Sequence, residues 1–156
     1  MMPDTVSNFM HRHGVDFQIV RHVQTATSQE SAQAAHIPGD QVAKAVVLED
    51  GESFTIAVVP ATHRIDRWAI AEILHRPFFL AEEVDFALTF RDCKRGAVPA
   101  LGEAYGLQTI VDEILFDQSA VYFEAGDHEV LVRVDAAAFE CLMANALRAK
   151  VSRRIG

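Results

Sequence analysis

Apolar residues at the start of the chain recur at helical spacing. Val6, Phe9 and Met10 share one face, and Gly14 follows as a stop signal. The period then changes. Val15, Phe17 and Ile19 alternate with polar residues, which predicts a strand over 15–23. The segment "TSQESAQAAHIPG" opens with a Thr/Ser cap, carries Glu30 and Ser31 in its first turn, and runs out at Ile37-Pro38-Gly39, predicting a short helix. Residues 41–60, "QVAKAVVLEDGESFTIAVVP", hold two β-branched runs around Glu49-Asp50-Gly51-Glu52. Asp-Gly predicts a two-residue hairpin turn whose central positions both require positive φ. The runs 45–48 and 55–59 are almost continuously apolar, so both faces of this hairpin are expected to be covered.

Beyond the hairpin, "IDRWAIAEIL" predicts a helix, "PFFLA" a short strand and "EEVDFALT" a helical turn or two. The last third returns to strands: "LQTIVD", "SAVYFEA", a Gly-Asp-His turn and "EVLVRV". A closing helix is expected over 135–150, "DAAAFECLMANALRAK", with Asp135 as its cap. Hairpins dominate and no regular β-α-β alternation appears. The expected class is therefore α+β, with a mostly antiparallel or mixed sheet. No repeat or low-complexity linker divides the chain, so residues 1–156 are read as a single domain.

Composition narrows the function classes. At 50% hydrophobic and 23% charged residues, the chain has the balance of a folded globular domain. No apolar stretch approaches the ~20 residues of a membrane span, so no membrane association is expected. "MMPDTVSNFMHRHG" lacks a cationic start and an apolar core, and the two cysteines, Cys93 and Cys141, suit a reducing compartment; both point to the cytoplasm. A net charge of −8 argues against a general nucleic-acid coat protein but leaves room for a local basic site. Arg148, Lys150, Arg153 and Arg154 crowd the C-terminus. They read either as a solvated helix end or as a nucleic-acid-facing cluster.

Several residues carry candidate chemistry. Lys44 is one of only three lysines and lies inside the strand run "VAKAVVL", on the face of Val42 and Val46 and opposite Ala43, Ala45 and Val47. It either reaches water at a strand end or meets an anion in a cleft. Cys93 is a conceivable nucleophile, yet no signature surrounds it. The seven histidines show no metal-ligand spacing, and no cofactor is expected. His128 sits at a strand–strand tip beside Asp127, either as a polar turn residue or overhanging a cleft. "RGAVPALG" holds no side chain for acid–base or covalent work. It is an ordinary Gly/Pro loop, or else a backbone surface whose N–H groups bind a carbonyl oxygen or an anion.

Read in series, "ESAQAAHIPGDQVAKAVVL", "FTIAVVPATHRID", "DCKRGAVPALGEAYGLQTIVDEIL" and "VYFEAGDHEVLVRVDAAAFECLM" resemble the YbaK/prolyl-tRNA synthetase-associated editing-domain family over almost the whole chain. The resemblance implies one compact α+β domain, a mixed sheet surrounded by helices. It also implies hydrolysis of the ester joining a wrong amino acid to tRNA. By the family's pattern, Lys44 would steer the tRNA 3′ end. Gly96, Ala97, Val98, Pro99 and Ala100 would frame the aminoacyl moiety. Gly126, Asp127 and His128 would lie near the pocket, and His22 and Thr25 would line it. Many members have Gly-x-x-x-Pro in the loop. Here the fifth position is Ala100, with Pro99 before it, so the pocket wall is expected to differ.

An aminoacyl ester is already activated, so such a site needs only to place water or a substrate group and to stabilise the oxyanion. The resemblance thus implies a trans-acting aminoacyl-tRNA deacylase working by loop positioning and substrate assistance. Its partners would be the aminoacylated tRNA 3′ end and a synthetase or elongation factor holding the rest of the tRNA. The alternatives are a non-catalytic tRNA- or nucleotide-binding module on the same cleft and a small-molecule hydrolase using Cys93.

Overall fold

A computed structural model describes every residue except 1, 24 and 26. The chain runs α1 (Asp4–Arg12), β1 (Gln18–Arg21), α2 (Ser28–Ala34), β2 (Val42–Glu49), β3 (Phe54–Pro60), β4 (His63–Ile65), α3 (Arg67–Leu74), β5 (Phe79–Leu80), α4 (Glu83–Phe86), β6 (Gln108–Asp112), β7 (Ala120–Glu124), β8 (Val130–Asp135), α5 (Ala136–Leu142), β9 (Leu147–Ala149) and β10 (Ser152–Arg154). Short 3₁₀ turns sit at Gly39–Gln41, Gly102–Tyr105 and Glu113–Asp117.

The main sheet is mixed and eight-stranded. Its order is β1-β8-β7-β2-β3-β6-β9, with β5 added beside β2. Pairings β1/β8, β7/β8, β2/β3 and β2/β5 are antiparallel; β2/β7, β3/β6 and β6/β9 are parallel. This is the expected α+β architecture. The alternation along β2 sorts its side chains as the sequence implies. Ala43, Ala45 and Val47 pack into the main core with Phe9, Met10, Phe123 and Phe139. Val46 and Leu48 face a second core built on Ile70 and Leu74 of α3, and Val42 meets Ala32 of α2. Both faces of the hairpin are covered.

Local signals account for most elements. Thr27 caps α2 by accepting the Glu30 N–H, Asp66 caps α3 through Ala69, and Asp135 caps α5 through Ala138. The hairpin turn falls one residue later than Asp50-Gly51. Glu49 pairs with Phe54, Asp50 N–H reaches Ser53 O at 3.3 Å, and of the loop residues only Gly51 has positive φ (+90°). With glycine at the first central position, one positive φ suffices. Asp50 instead secures the turn by accepting the Glu52 and Ser53 N–H groups.

The C-terminal expectation is overturned. The helix ends at Leu142, and 147–149 and 152–154 are strands. Helix-forming Ala, Leu and Arg are outvoted by tertiary pairing: β9 extends the sheet beside β6, and β10 pairs with β4, a strand too short to stand out in "THRID". Buried Asp112 locks this turn, its Oδ2 accepting the Val151 N–H at 2.9 Å and the Ser152 hydroxyl at 2.6 Å. The basic cluster is consequently not a solvated helix end. Arg148, Arg153 and Arg154 pair with Glu140, Asp66 and Asp40.

Candidate functional site

The site forms where β7 leaves β2. Their parallel pairing covers Val42↔Tyr122 and Ala43↔Phe123 and then stops. Farther along the same edge, β5 joins β2 at Leu48 and Glu49. Between these two pairings a stretch of the β2 edge is left open, beginning at Lys44. The residues at the fork are Lys44 on β2 and Glu124 at the end of β7. Diverging parallel strands commonly open a crevice at such a point.

Lys44 is half-buried, and burial pushes its ammonium below the ordinary lysine pKa. It makes no ion pair or hydrogen bond among the described residues, where all four ion pairs use arginine. Its charge also reaches His63, whose imidazole is held below its ordinary value first by burial and then by the cations of Arg154 and Lys44.

The loop 92–101 is tied to the β7–β8 turn. Lys94 N–H donates to Gly126 O at 2.7 Å, and His128 Nε2 donates to Arg95 O. Gly96 has φ +79°, and a Cβ there would sit 3.3 Å from His128 Cε1. Gly96 is therefore required both by conformation and by the imidazole against it. Gly126, at φ +90°, is more tightly confined: a Cβ would lie 2.3 Å from Pro3. Asp127 is buried and accepts the Glu129 N–H at 2.9 Å, which closes the turn. Ala97 N–H is used by Lys94 O, whereas the N–H groups of Gly96 and Val98 donate to no partner among the described residues. Ala97, Pro99 and Ala100 are buried, and Ala100 belongs to the main core. Ala100, the position where the family pattern has proline, thus packs beneath the loop.

On the other flank, the segment after β1 is laid against the same turn. His22 N–H donates to Glu129 O at 2.9 Å, and Thr25 N–H donates to His128 O at 3.3 Å. Thr25 Oγ1 lies 2.6 Å from Ser31 Oγ, and Ser31 Oγ donates to Glu124 Oε1 at 2.8 Å. Because Ser31 spends its proton on Glu124, Thr25 is the donor to Ser31. Burial raises the Glu124 carboxyl above the usual range; the Ser31 hydroxyl and the nearby imidazoles of His128 and His22 counter this in part. Glu124 and Ser31 are site residues that the sequence patterns did not single out. Period two along "AVYFE" places Glu124 on the face of Tyr122, so an acidic residue ending an apolar strand was the available signal.

Cys93 lies below this site. Its thiol is 3.2 Å from the Tyr105 hydroxyl, and burial pushes its pKa up to about 12. It is a thiol at neutral pH and lacks the activation that a cysteine nucleophile needs. A cavity of about 440 Å³ is lined by Phe86, Leu88, Phe90, Cys93 and Val98 together with the cations Lys94 and Arg95. It does not contain Lys44, Glu124 or His128. No group of His, Cys, Asp and Glu among the described residues is placed to hold a metal ion.

Residues 22–141 match the model of the aminoacyl-tRNA editing domain. The chain belongs to the aminoacyl-tRNA editing domain family. The matched span begins at His22 and includes Lys44, the 96–100 loop and the 126–128 turn. Three solved structures share the fold. One is a proposed trans-editing enzyme for prolyl tRNA synthetase (TM-score 0.82, 21% identity, covering 98% of this chain and 96% of that one). Another is the hypothetical protein APE2540 (TM-score 0.83, 20% identity, 96% and 99% covered). A third is a scaffold protein used in computational epitope grafting (TM-score 0.83, 22% identity, 99% and 97% covered). No curated protein matches the chain significantly. At these identities the structural likeness speaks to the editing-domain fold, and the family match carries the identification.

Proposed function

We propose that this editing domain is a trans-acting aminoacyl-tRNA deacylase that hydrolyses the ester of a mischarged tRNA. The observation that carries this reading is the arrangement at the β2/β7 fork. An unpaired, half-buried lysine stands where the strands part, and a glycine loop with unused N–H groups is fastened to the opposing turn. A phosphate of the tRNA 3′ end suits Lys44, a point charge with no ion-pair partner among the described residues.

In the reaction, a water oxygen attacks the ester carbonyl. The carbonyl carbon–ribose oxygen bond breaks, the ribose oxygen takes up a proton, and the amino acid leaves as its carboxylate. The N–H groups of Gly96 and Val98 are the donors for the oxyanion. The ester is activated and its ribose carries a neighbouring hydroxyl, so the substrate itself can guide the water and no protein nucleophile is required. The raised Cys93 thiol pKa supports this over a thiol mechanism.

A panel of mischarged tRNAs tests the proposal. Wild type and Cys93→Ala are expected to deacylate at least one member at equal rates, with Lys44→Ala slowed by ~10²-fold or more, the range of lost electrostatic stabilisation. Loss of activity in Cys93→Ala alone would mean a thiol enzyme. Tight tRNA binding without hydrolysis would mean a binding module.

A further inference from the structure

Strand β2 turns alternate residues toward alternate edges. Ala61 N–H donates to Val42 O at 2.7 Å, so the even-numbered residues bond toward β3. Ala81 N–H donates to Val47 O at 2.9 Å, so the odd-numbered residues bond toward the opposite edge. On that edge Ala43 pairs with Phe123 of β7, and Val47 is bonded by Ala81, the residue after β5. Ala45 is the odd-numbered residue between them. Neither β7 nor β5 pairs with it, and its N–H and C=O have no partner among the described residues. Ala45 is half-buried, and its methyl packs against the main core, so only its backbone is offered to the crevice. Backbone groups inside a sheet are almost always bonded, so an open pair between two occupied neighbours calls for an explanation.

The opening is one residue long. A peptide strand added to this edge would need the groups of Ala43 and Val47 as well, and both residues already have neighbours on that edge. What remains is one donor and one acceptor on a single residue. In the bonded pairs of an antiparallel ladder, two residues facing each other exchange both N–H···O bonds. The complement of Ala45 is therefore a single unit that carries one acceptor and one donor on either side of an α-carbon. An α-aminoacyl group has this form: a carbonyl oxygen on one side and an amino group on the other.

We propose that the open backbone of Ala45 binds the aminoacyl moiety, its C=O accepting from the α-ammonium and its N–H donating to the ester carbonyl oxygen. This rests on the deacylase reading for the identity of the ligand. The carbonyl oxygen keeps a second lone pair for a donor of the 96–98 loop. The contacts use only atoms that every amino acid shares. The edge therefore fixes the reacting unit beside Lys44, the next residue in the chain, and leaves the choice of side chain to other parts of the pocket.

Amide hydrogen exchange of the wild-type protein, followed residue by residue by NMR, tests this in two steps. Without ligand, the Ala45 N–H is expected to exchange at least ~10²-fold faster than those of Lys44 and Val46, which bond toward β3. Equal protection of the three would mean that the edge is closed, and overturns the proposal. The protein is then titrated with alaninamide, with propionamide, which lacks the amino group, and with adenosine 5′-monophosphate. Alaninamide is expected to shift the Ala45 amide resonance and to slow its exchange. Propionamide should bind at least about tenfold more weakly, the loss of one hydrogen bond to a charged group. If alaninamide leaves exchange at Ala45 unchanged, or binds no better than propionamide, the proposal fails. Protection by the nucleotide alone would mean that the edge reads a base, and fails it too. Neither step needs turnover. A protein that deacylates no mischarged tRNA would overturn the deacylase reading, and the titration would still decide whether Ala45 binds an aminoacyl unit.

Discussion

Gly96 has little tolerance for a side chain. Its φ of +79° and the 3.3 Å approach to His128 act together, so Gly96→Ala strains the loop and pushes the imidazole aside. The expected cost is about 1–2 kcal/mol of stability, measured by urea unfolding, with a larger loss of deacylation than that figure alone explains. Lys44 gives a pH test. Its pKa is lowered by burial, so its cation is present at low pH and is lost as pH rises through the lowered value. Affinity for a 3′-terminal phosphate mimic is expected to fall at a lower pH than an ordinary lysine would give, and Lys44→Arg should move that fall upward or remove it. Cys93, with its thiol raised to about 12, should resist alkylation by iodoacetamide at pH 8 in the native state, in contrast to exposed Cys141. Lys44, the loop and the Gly-Asp-His turn stood out in the chain because each breaks a local rule: a cation in an apolar strand, glycines without regular structure, polar residues at a strand tip. Glu124 breaks the same rule less visibly, since the last residue of a strand is often polar. Its burial and the Ser31 bond, across 93 residues of sequence, show that it points inward.

Among the elements, β2 organises the site by having three neighbours. It is covered by β3 along its whole length on one edge, and by β7 and then β5 on the other. The gap between the last two is the crevice. Period-two patterning and the Asp50-Gly51 signal were enough to predict the β2–β3 hairpin. They carried no information on which strand would lie on the far edge, because parallel partners are chosen by the whole fold. The C-terminal segment went the same way: 147–149 is helix-forming by composition and a strand by its pairing with β6. That pairing depends on Asp112. Asp112→Ala leaves the Val151 N–H and the Ser152 hydroxyl without their buried acceptor, and a loss of roughly 2–4 kcal/mol is expected in thermal or urea unfolding. The change should leave the Lys44 fork in place, so activity measured well below the melting point is expected to persist.

For the whole molecule, charge bears on how the proposed tRNA substrate would be held. The net charge is −8, and Arg148, Arg153 and Arg154 near the C-terminus are each paired with a carboxylate, which disfavours an extended contact with the tRNA body. Contacts limited to the 3′ end neutralise only one or two phosphates. The logarithm of affinity should therefore change with the logarithm of salt by a slope of only about −1 to −2, against the steep dependence of proteins that coat nucleic acid. A slope beyond about −4 would point to an extended tRNA footprint. No helix among the described residues is long and apolar enough to cross a membrane. The family match shows an aminoacyl-tRNA editing domain, and the reading proposed for it is chemistry at an aminoacyl ester held by its terminal nucleotide. The most direct test of that claim is single-turnover deacylation of a mischarged-tRNA panel by wild type and by Lys44→Ala. Hydrolysis of at least one mischarged tRNA by wild type, slowed ~10²-fold or more by Lys44→Ala, is the predicted result. No hydrolysis by wild type, or equal rates for the two proteins, would contradict it.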